Sequence, residues 1–240
     1  MADFLARCEK LEIGYDRALL PPIDLAIRAG EFLGIVGRNG AGKTTFFRTL
    51  LGLIPPRGGR VVRDPTLPLA YVPQVAQLDT LLPVRSRDVV GWGTLRGWSF
   101  IRPVATTEER EVRERALREA DAAPLAAQAY GELSLGQKQR VLFARMLASG
   151  ARLALLDEPT AAMDVVAERR AFEGLVGHVQ DKGLAVVVVT HDVELCGAHA
   201  DQILYLDRED QIVVLGDPET VFAHPDFVRH YGPVRVTRGR

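Results

Sequence analysis

Residues 37 to 44 read Gly37-Arg38-Asn39-Gly40-Ala41-Gly42-Lys43-Thr44, the pattern G-x-x-x-x-G-K-[ST]. No other segment of the chain constrains its fold as strongly. The pattern follows the apolar run 32–36 and precedes a run expected to be helical from Gly42 to just before Gly52. That context of strand, glycine loop and helix is the one the chemistry needs. Glycines let the backbone wrap closely around phosphates, with N–H groups aimed inward at the positive end of a helix. Lys43 then reaches the β- and γ-phosphates, and the Thr44 hydroxyl is placed for Mg²⁺. The competing interpretation is a glycine-rich turn with no ligand. Chance supplies the bare pattern in roughly one chain of this length in a hundred, and the flanking context lowers that further. The loop is therefore expected to bind a nucleoside triphosphate.

A phosphate loop of this kind needs a parallel sheet behind it, and the rest of the chain reads that way. Strands are expected at 5–13, 23–27, 31–36, 60–62 and 69–72, with turns at Pro21-Pro22 and Ala29-Gly30. Later the pattern alternates: strand 152–156, helix 165–180, strand 184–190, helix 193–198, strand 201–206. Continuous apolar strands between helices imply a parallel sheet covered on both faces. The middle differs. Residues 106–123 are strong helix formers, with Thr107 as N-cap and Arg110/Glu114 and Glu114/Arg118 at i,i+4 spacing. A further helix runs from Leu135 or Gly136 to Ala148 and stops at Gly150. The expected class is α/β: a core of residues 1–74 and 149–240 with a helical insertion of about 75–148. The stretch 211–231 is expected to give a strand and a short helix around 218–222, and the tail 235–240 is expected to fray.

Composition narrows the functions open to such a fold. The hydrophobic share of 47% and charged share of 25% are ordinary globular values. Lys plus Arg number 30 against 31 for Asp plus Glu, a net charge of -1, so nothing drives non-specific nucleic-acid binding. The longest apolar runs, 184–189 and 153–156, fall far short of the roughly 18 residues a membrane helix needs. Residues 1–10 carry charges where a secretory leader would be apolar. Cys8 and Cys196 fit no disulfide or metal spacing. A soluble, cytosolic chain is expected.

Two further segments complete a catalytic set. Leu153-Ala154-Leu155-Leu156-Asp157-Glu158 is a buried-strand pattern ending in two carboxylates. Ligands of a parallel sheet sit at the C-terminal ends of its strands, so Asp157 is placed to hold Mg²⁺. Glu158 is placed to orient or deprotonate the attacking water. A solvated acidic turn is the plain alternative, and the phosphate loop decides against it. His191 follows the strand 184–190 at the same end of the sheet. Asp192 beside it reads equally as a helix N-cap and is given no chemistry.

At this point the chain resembles the ATP-binding subunits of ABC transporters. The segment that discriminates is Leu133-Ser134-Leu135-Gly136-Gln137-Lys138-Gln139-Arg140, which looks like the family signature L-S-G-G-Q with a basic helix behind it. Its Gln137 stands 20 residues before Asp157, in family order. An N-capped surface helix explains Ser134 but not the remaining matches. The resemblance implies a P-loop NTPase (RecA-like) core with an N-terminal antiparallel β subdomain and an inserted α-helical subdomain. It implies that Gly37, Arg38, Asn39, Gly40, Ala41, Gly42, Lys43, Thr44 and Thr45 hold ATP. Tyr15 would stack on adenine, where a core-strand aromatic is the alternative. Gln74, in Tyr71-Val72-Pro73-Gln74, would touch Mg²⁺ and sense the γ-phosphate. Ser134, Gly136 and Gln137 would complete the site of an opposite copy, and Asp164 in Ala161-Ala162-Met163-Asp164 would cross to it. His191 would be the switch histidine.

The resemblance further implies a homodimer closed around two ATP molecules, with work delivered to a separate membrane permease and served by a solute-binding protein. The location implied is the cytoplasmic side of the membrane, and no nucleic-acid partner is implied. One departure stands out: Leu135 replaces the first signature glycine, and its Cβ is expected to alter backbone freedom or dimer closure. Asp79, Leu82-Pro83-Val84, Asp88-Val89-Val90 and Gly93 resemble a run of zinc- and manganese-importer ATPases, which implies import of a divalent metal ion. An ordinary amphipathic helix beginning near Ser86 explains the same valines as core. Importers of siderophore, haem or cobalamin, a soluble ABC ATPase outside transport, and a binding-only regulatory ATPase remain the alternatives.

Overall fold

The structure is a computed structural model that describes residues 4–74, 84–95, 104–160 and 165–235. Two compact units divide the chain: Met1–Leu67 with Phe172–Arg240, and Pro68–Ala171.

The first unit holds two sheets. Strand β1 (Ala6–Glu12) lies between β2 (Ile23–Ile27) and β4 (Gly58–Arg63), antiparallel to both. Its alternation places Ala6 and Cys8 inward with Arg7 outward, as a half-buried sheet requires. The second sheet is built around β3 (Phe32–Val36), with β7 (Ala185–Val189) and β8 (Gln202–Asp207) parallel on either side of it. Every residue of β3 and β7 is buried, which is why both read as unbroken apolar runs. Strand β9 (Ile212–Gly216) pairs antiparallel with β8.

Helix α1 (Lys43–Leu51) leaves the end of β3 and closes at Gly52 in a left-handed conformation. Helix α6 (Val193–His199) is capped by Asp192, whose carboxylate accepts from the Leu195 N–H at 2.8 Å, the capping role weighed for it above. Helix α7 (Pro218–Phe222) matches the expected closing helix. The short helix α8 (Pro225–Tyr231) was not expected.

The second unit pairs β5 (Leu69–Val72) in parallel with β6 (Leu153–Asp157), Val72 facing Leu156. Three helices pack together in it: α2 (Ser86–Gly91), α3 (Thr107–Glu119) and α4 (Leu135–Ala148). The N-cap of α3 is Thr106 rather than Thr107. Only Thr106 has an acidic residue three positions on, and Glu109 closes a reciprocal capping box with it. Glu114 is taken by the adjacent Arg113 at 3.1 Å instead of the i,i+4 arginines. Helix α5 (Val165–Lys182) carries the chain from the second unit back to the first, where Phe172 is fully buried against Phe32. Among the described residues, no helix is long and apolar enough to cross a membrane.

Candidate functional site: a phosphate loop in one unit and a carboxylate pair in the other

In the first unit, the loop 37–42 joins the buried end of β3 to α1. Gly42 caps α1 with φ 101°, a left-handed turn that favours glycine. Gly42 offers no side chain to cap α1, and the first turn of the helix carries no acid. The positive end of the helix dipole favours an anion there. Gly37 is required for a different reason: a Cβ there would lie 2.4 Å from the Leu206 carbonyl oxygen. Lys43 is buried, and its ammonium donates to the Gly37 carbonyl at 2.6 Å and the Arg38 carbonyl at 3.1 Å. The cation is thus folded against the loop it would serve. Thr44 and Thr45 follow at half-buried positions, while Arg38, Asn39 and Gly40 are exposed.

Tyr15 is 47% exposed on a bend, so it is no core aromatic. Its hydroxyl accepts from Arg48 Nη1 at 2.9 Å, an α1 residue that the motif arguments passed over. Helix periodicity would have found Arg48, which follows Thr44 by about one turn. His191 lies two residues beyond the end of β7 and is exposed.

In the second unit, β6 ends in Asp157, whose side chain is buried, and Glu158, which is half-buried. Glu158 has φ 48°. A left-handed backbone at a non-glycine residue costs about 1–2 kcal/mol, and such strain collects at functional sites. Gln74 Nε2 donates to Glu158 Oε2 at 2.8 Å, so two residues chosen independently from sequence meet here. The Tyr71 hydroxyl lies 3.5 Å from Asp157 Oδ2. Tyr71 was not singled out, although strand parity points to it. It pairs with Leu155, and Asp157 shares that face two residues on.

Ser134 N-caps α4 in a capping box: its hydroxyl accepts from the Gln137 N–H, and Gln137 Oε1 accepts from the Ser134 N–H. Leu135 is the first helical residue and is 49% exposed. Its φ is not positive, so its Cβ adds no left-handed backbone strain. Gly136 lies within the same first turn. Asp164 falls outside the described residues, as do Asp79, Leu82 and Pro83 of the importer-like run. Three of its described members have packing roles, while Asp88 is exposed. Val89 and Val90 are core, and a Cβ on Gly93 would meet the Arg145 carbonyl oxygen at 2.3 Å.

Burial also sets the two thiols. It pushes Cys8 and Cys196 up to about 12, helped by the charges of Asp24 and Asp192 respectively, so neither is a nucleophile.

The sequence profile of the ABC transporter family matches residues 20–161. The zinc import ATP-binding protein ZnuC of Yersinia pestis is 36% identical over 233 residues, covering 97% of this chain and 87% of its own length. That of Pseudomonas aeruginosa PAO1 is 36% identical over 234 residues, with 97% and 81% covered. Among solved structures, cbiO1 of Clostridium perfringens, part of the transporter complex cbiONQ, superposes with a TM-score of 0.76 at 25% identity over 95% of this chain and 94% of that one. A dimeric post-hydrolysis state of the ATP-binding cassette MJ0796, bound to ADP and Pi, gives 0.73 at 26% identity over 85% and 94%.

Proposed function

This chain belongs to the ABC transporter family and is an ATP-binding, ATP-hydrolysing subunit of that class; from that premise we propose that it drives import of a divalent metal ion. The observation that carries the cargo is the identity to zinc import ATP-binding proteins along 97% of the chain. The local run around Asp88 adds little, because packing accounts for Val89, Val90 and Gly93.

In this reading Gly37 through Thr45 hold the triphosphate, with Lys43 turning from the loop carbonyls to the β- and γ-phosphates. Tyr15 offers its exposed ring to adenine. The Thr44 hydroxyl, the Asp157 carboxylate and the Gln74 amide oxygen are hard oxygen donors, a set that fits Mg²⁺. That ion, when bound, neutralises charge on the phosphates. Glu158 is the general base for the attacking water, and Gln74 holds its carboxylate at 2.8 Å. His191 is the switch residue at the end of β7. A second copy supplies Ser134, Gly136 and Gln137 to the γ-phosphate, with Asp164 crossing between copies. Two ATP molecules then join two subunits, and hydrolysis releases them.

The chain works at the cytoplasmic side of the membrane on a separate permease, to which a solute-binding protein delivers cargo. The helical segment of about 75–148 is the inserted subdomain that docks there. In support, a groove of about 200 Å³ in the second unit is lined by Trp92, Leu95 and Met146 together with the polar Tyr71, Arg145 and Ser149, and Trp92 and Leu95 are 41% and 38% exposed. Two exposed apolar side chains beside polar groups suit a helix from a partner that has both apolar and polar faces.

The Glu158→Gln variant tests this reading. It keeps ATP binding, loses at least about 10²-fold in turnover and accumulates an ATP-dependent dimer. In cells lacking the gene, wild type but not Glu158→Gln restores growth under zinc chelation. Unchanged turnover would sink the role of Glu158. Growth relieved only by iron chelates or cobalamin would replace the metal-ion cargo with one of those.

A further inference from the structure

Residues 13–20 form a turn whose base is well fixed. The Leu19 N–H donates to the Ile13 carbonyl at 2.8 Å, and Gly14 and Ala18 pair in an antiparallel bridge. A Cβ on Gly42 would lie 3.4 Å from Ile13 Cδ1 and 3.6 Å from Leu20 Cδ1, so the turn packs on the glycine that starts α1. Gln211 Nε2 adds a clamp, donating to the Leu19 carbonyl at 2.9 Å and to the Arg208 carbonyl at 2.8 Å. The base of the turn thereby has a set place beside the phosphate loop.

The tip of the turn is held differently. Ile13 and Leu20 are buried, whereas Tyr15 is 47% exposed, so packing does not fix its ring as it fixes theirs. An exposed aromatic keeps a choice of rotamers. What holds this one is Arg48, whose Nη1 donates to the Tyr15 hydroxyl at 2.9 Å. The contact is at the edge of the ring. Among the described residues, cations lie over the rings of Phe4 and Tyr130, and both faces of Tyr15 are free of them.

Arg48 is well placed for this grip. It points outward from α1 between the buried Phe47 and Thr49, and its own carbonyl accepts from the Leu53 N–H at 2.8 Å in the turn that closes the helix. Among the described residues no carboxylate pairs with it, so its charge is committed to the phenol. One rigid helix therefore carries Lys43 and Thr44 in its first turn and the hold on Tyr15 a turn later.

We propose that Arg48 is a positioning residue that holds the Tyr15 ring ready for the nucleobase while α1 serves the phosphates. The inference rests on the reading of Tyr15 as the residue that stacks on adenine. Fixing the ring in advance removes part of the ordering cost of nucleotide binding. A preset ring serves ground state and transition state alike, so its loss raises KM and spares kcat.

The experiment measures binding of ATP and of inorganic triphosphate to the full chain by calorimetry, each with Mg²⁺, beside ATP turnover. Inorganic triphosphate suits the phosphate loop and has no base to stack. Arg48→Met keeps the aliphatic stem and removes the donor. Its affinity for ATP is expected to fall about 2- to 5-fold, with KM rising to match and with triphosphate affinity and kcat unchanged. Arg48→Lys, which still donates, recovers most of the loss. Tyr15→Phe gives the same shift as Arg48→Met, and combining the two shifts affinity no further. Unchanged ATP affinity in Arg48→Met overturns the proposal. So does an equal loss for ATP and inorganic triphosphate, which marks Arg48 as a support of α1 and its loop. Additive losses in the combined variant overturn it as well, because Arg48 then acts elsewhere than on the Tyr15 hydroxyl. Tyr15→Ala separates the two readings. If it binds ATP like wild type, the adenine assignment itself fails; if it loses ATP affinity while Arg48→Met is silent, only the positioning role falls.

Discussion

Helices α1 and α4 both begin at residues assigned to nucleotide, yet they begin in opposite ways. Helix α1 starts at Gly42 in a left-handed turn with no side-chain cap and no acid in its first turn. Helix α4 starts at Ser134 with both halves of a capping box closed. The first has no capping side chain at Gly42 and turns its positive end, beside the glycines and Lys43, toward an incoming anion. The second satisfies its own amides first and presents a phosphate group with a finished helix end. A loop built to hold ATP within one chain is thus poised for it. A segment proposed to meet the ATP of another copy is made stable by itself, as a surface that must exist apart from its partner should be.

The comparison can be broken at three points. Lys43→Ala acts on the poised end and removes a charged donor, so ATP affinity should fall about 10- to 100-fold with little change in melting. Equal losses of affinity and stability would show that Lys43 mainly braces its own loop. At the finished end, Ser134→Ala should cost about 1 kcal/mol of stability through the lost cap and should also lower turnover. Ser134→Asp restores the cap without the hydroxyl. Melting should then recover while turnover stays low, and joint recovery would reduce Ser134 to a cap alone. The smallest effect is expected from Leu135→Gly, which restores the glycine of the family signature. Leu135 already sits in helical backbone, so the glycine should cost about 0.5–1 kcal/mol of stability and change turnover less than threefold. A large gain in turnover would instead identify Leu135 as a brake on closure.

How legible each feature was follows from how local its cause is. Strands β3, β6 and β7 are buried throughout and appear in sequence as unbroken apolar runs. The phosphate loop is legible because its chemistry demands glycines at set spacings. The Thr106 cap was readable too, through Glu109, but two adjacent threonines hid it. Helix α8 was missed because seven residues carry too little periodicity. It is held by Phe227 stacking on residues brought to it by the fold. The opening run 5–13 was placed within a residue at each end, since β1 alternates inward and outward cleanly in its first half.

The amino-acid sequence alone determined the parallel α/β class, the loop Gly37 to Thr44, the carboxylate pair at the end of β6 and the capped start of α4. Each is written in contiguous residues whose spacing answers to backbone geometry. Tertiary structure decided which side chains meet: Gln74 with Glu158 at 2.8 Å, Tyr15 with Arg48 at 2.9 Å, and Asp207 with His230 at 3.3 Å. It also decided why position 37 admits no side chain, since only the path of β8 brings the Leu206 carbonyl oxygen there. Such pairs are separated by many residues along the chain. No local pattern records them, because burial and strand register, which are properties of the packed core, set the distance between them.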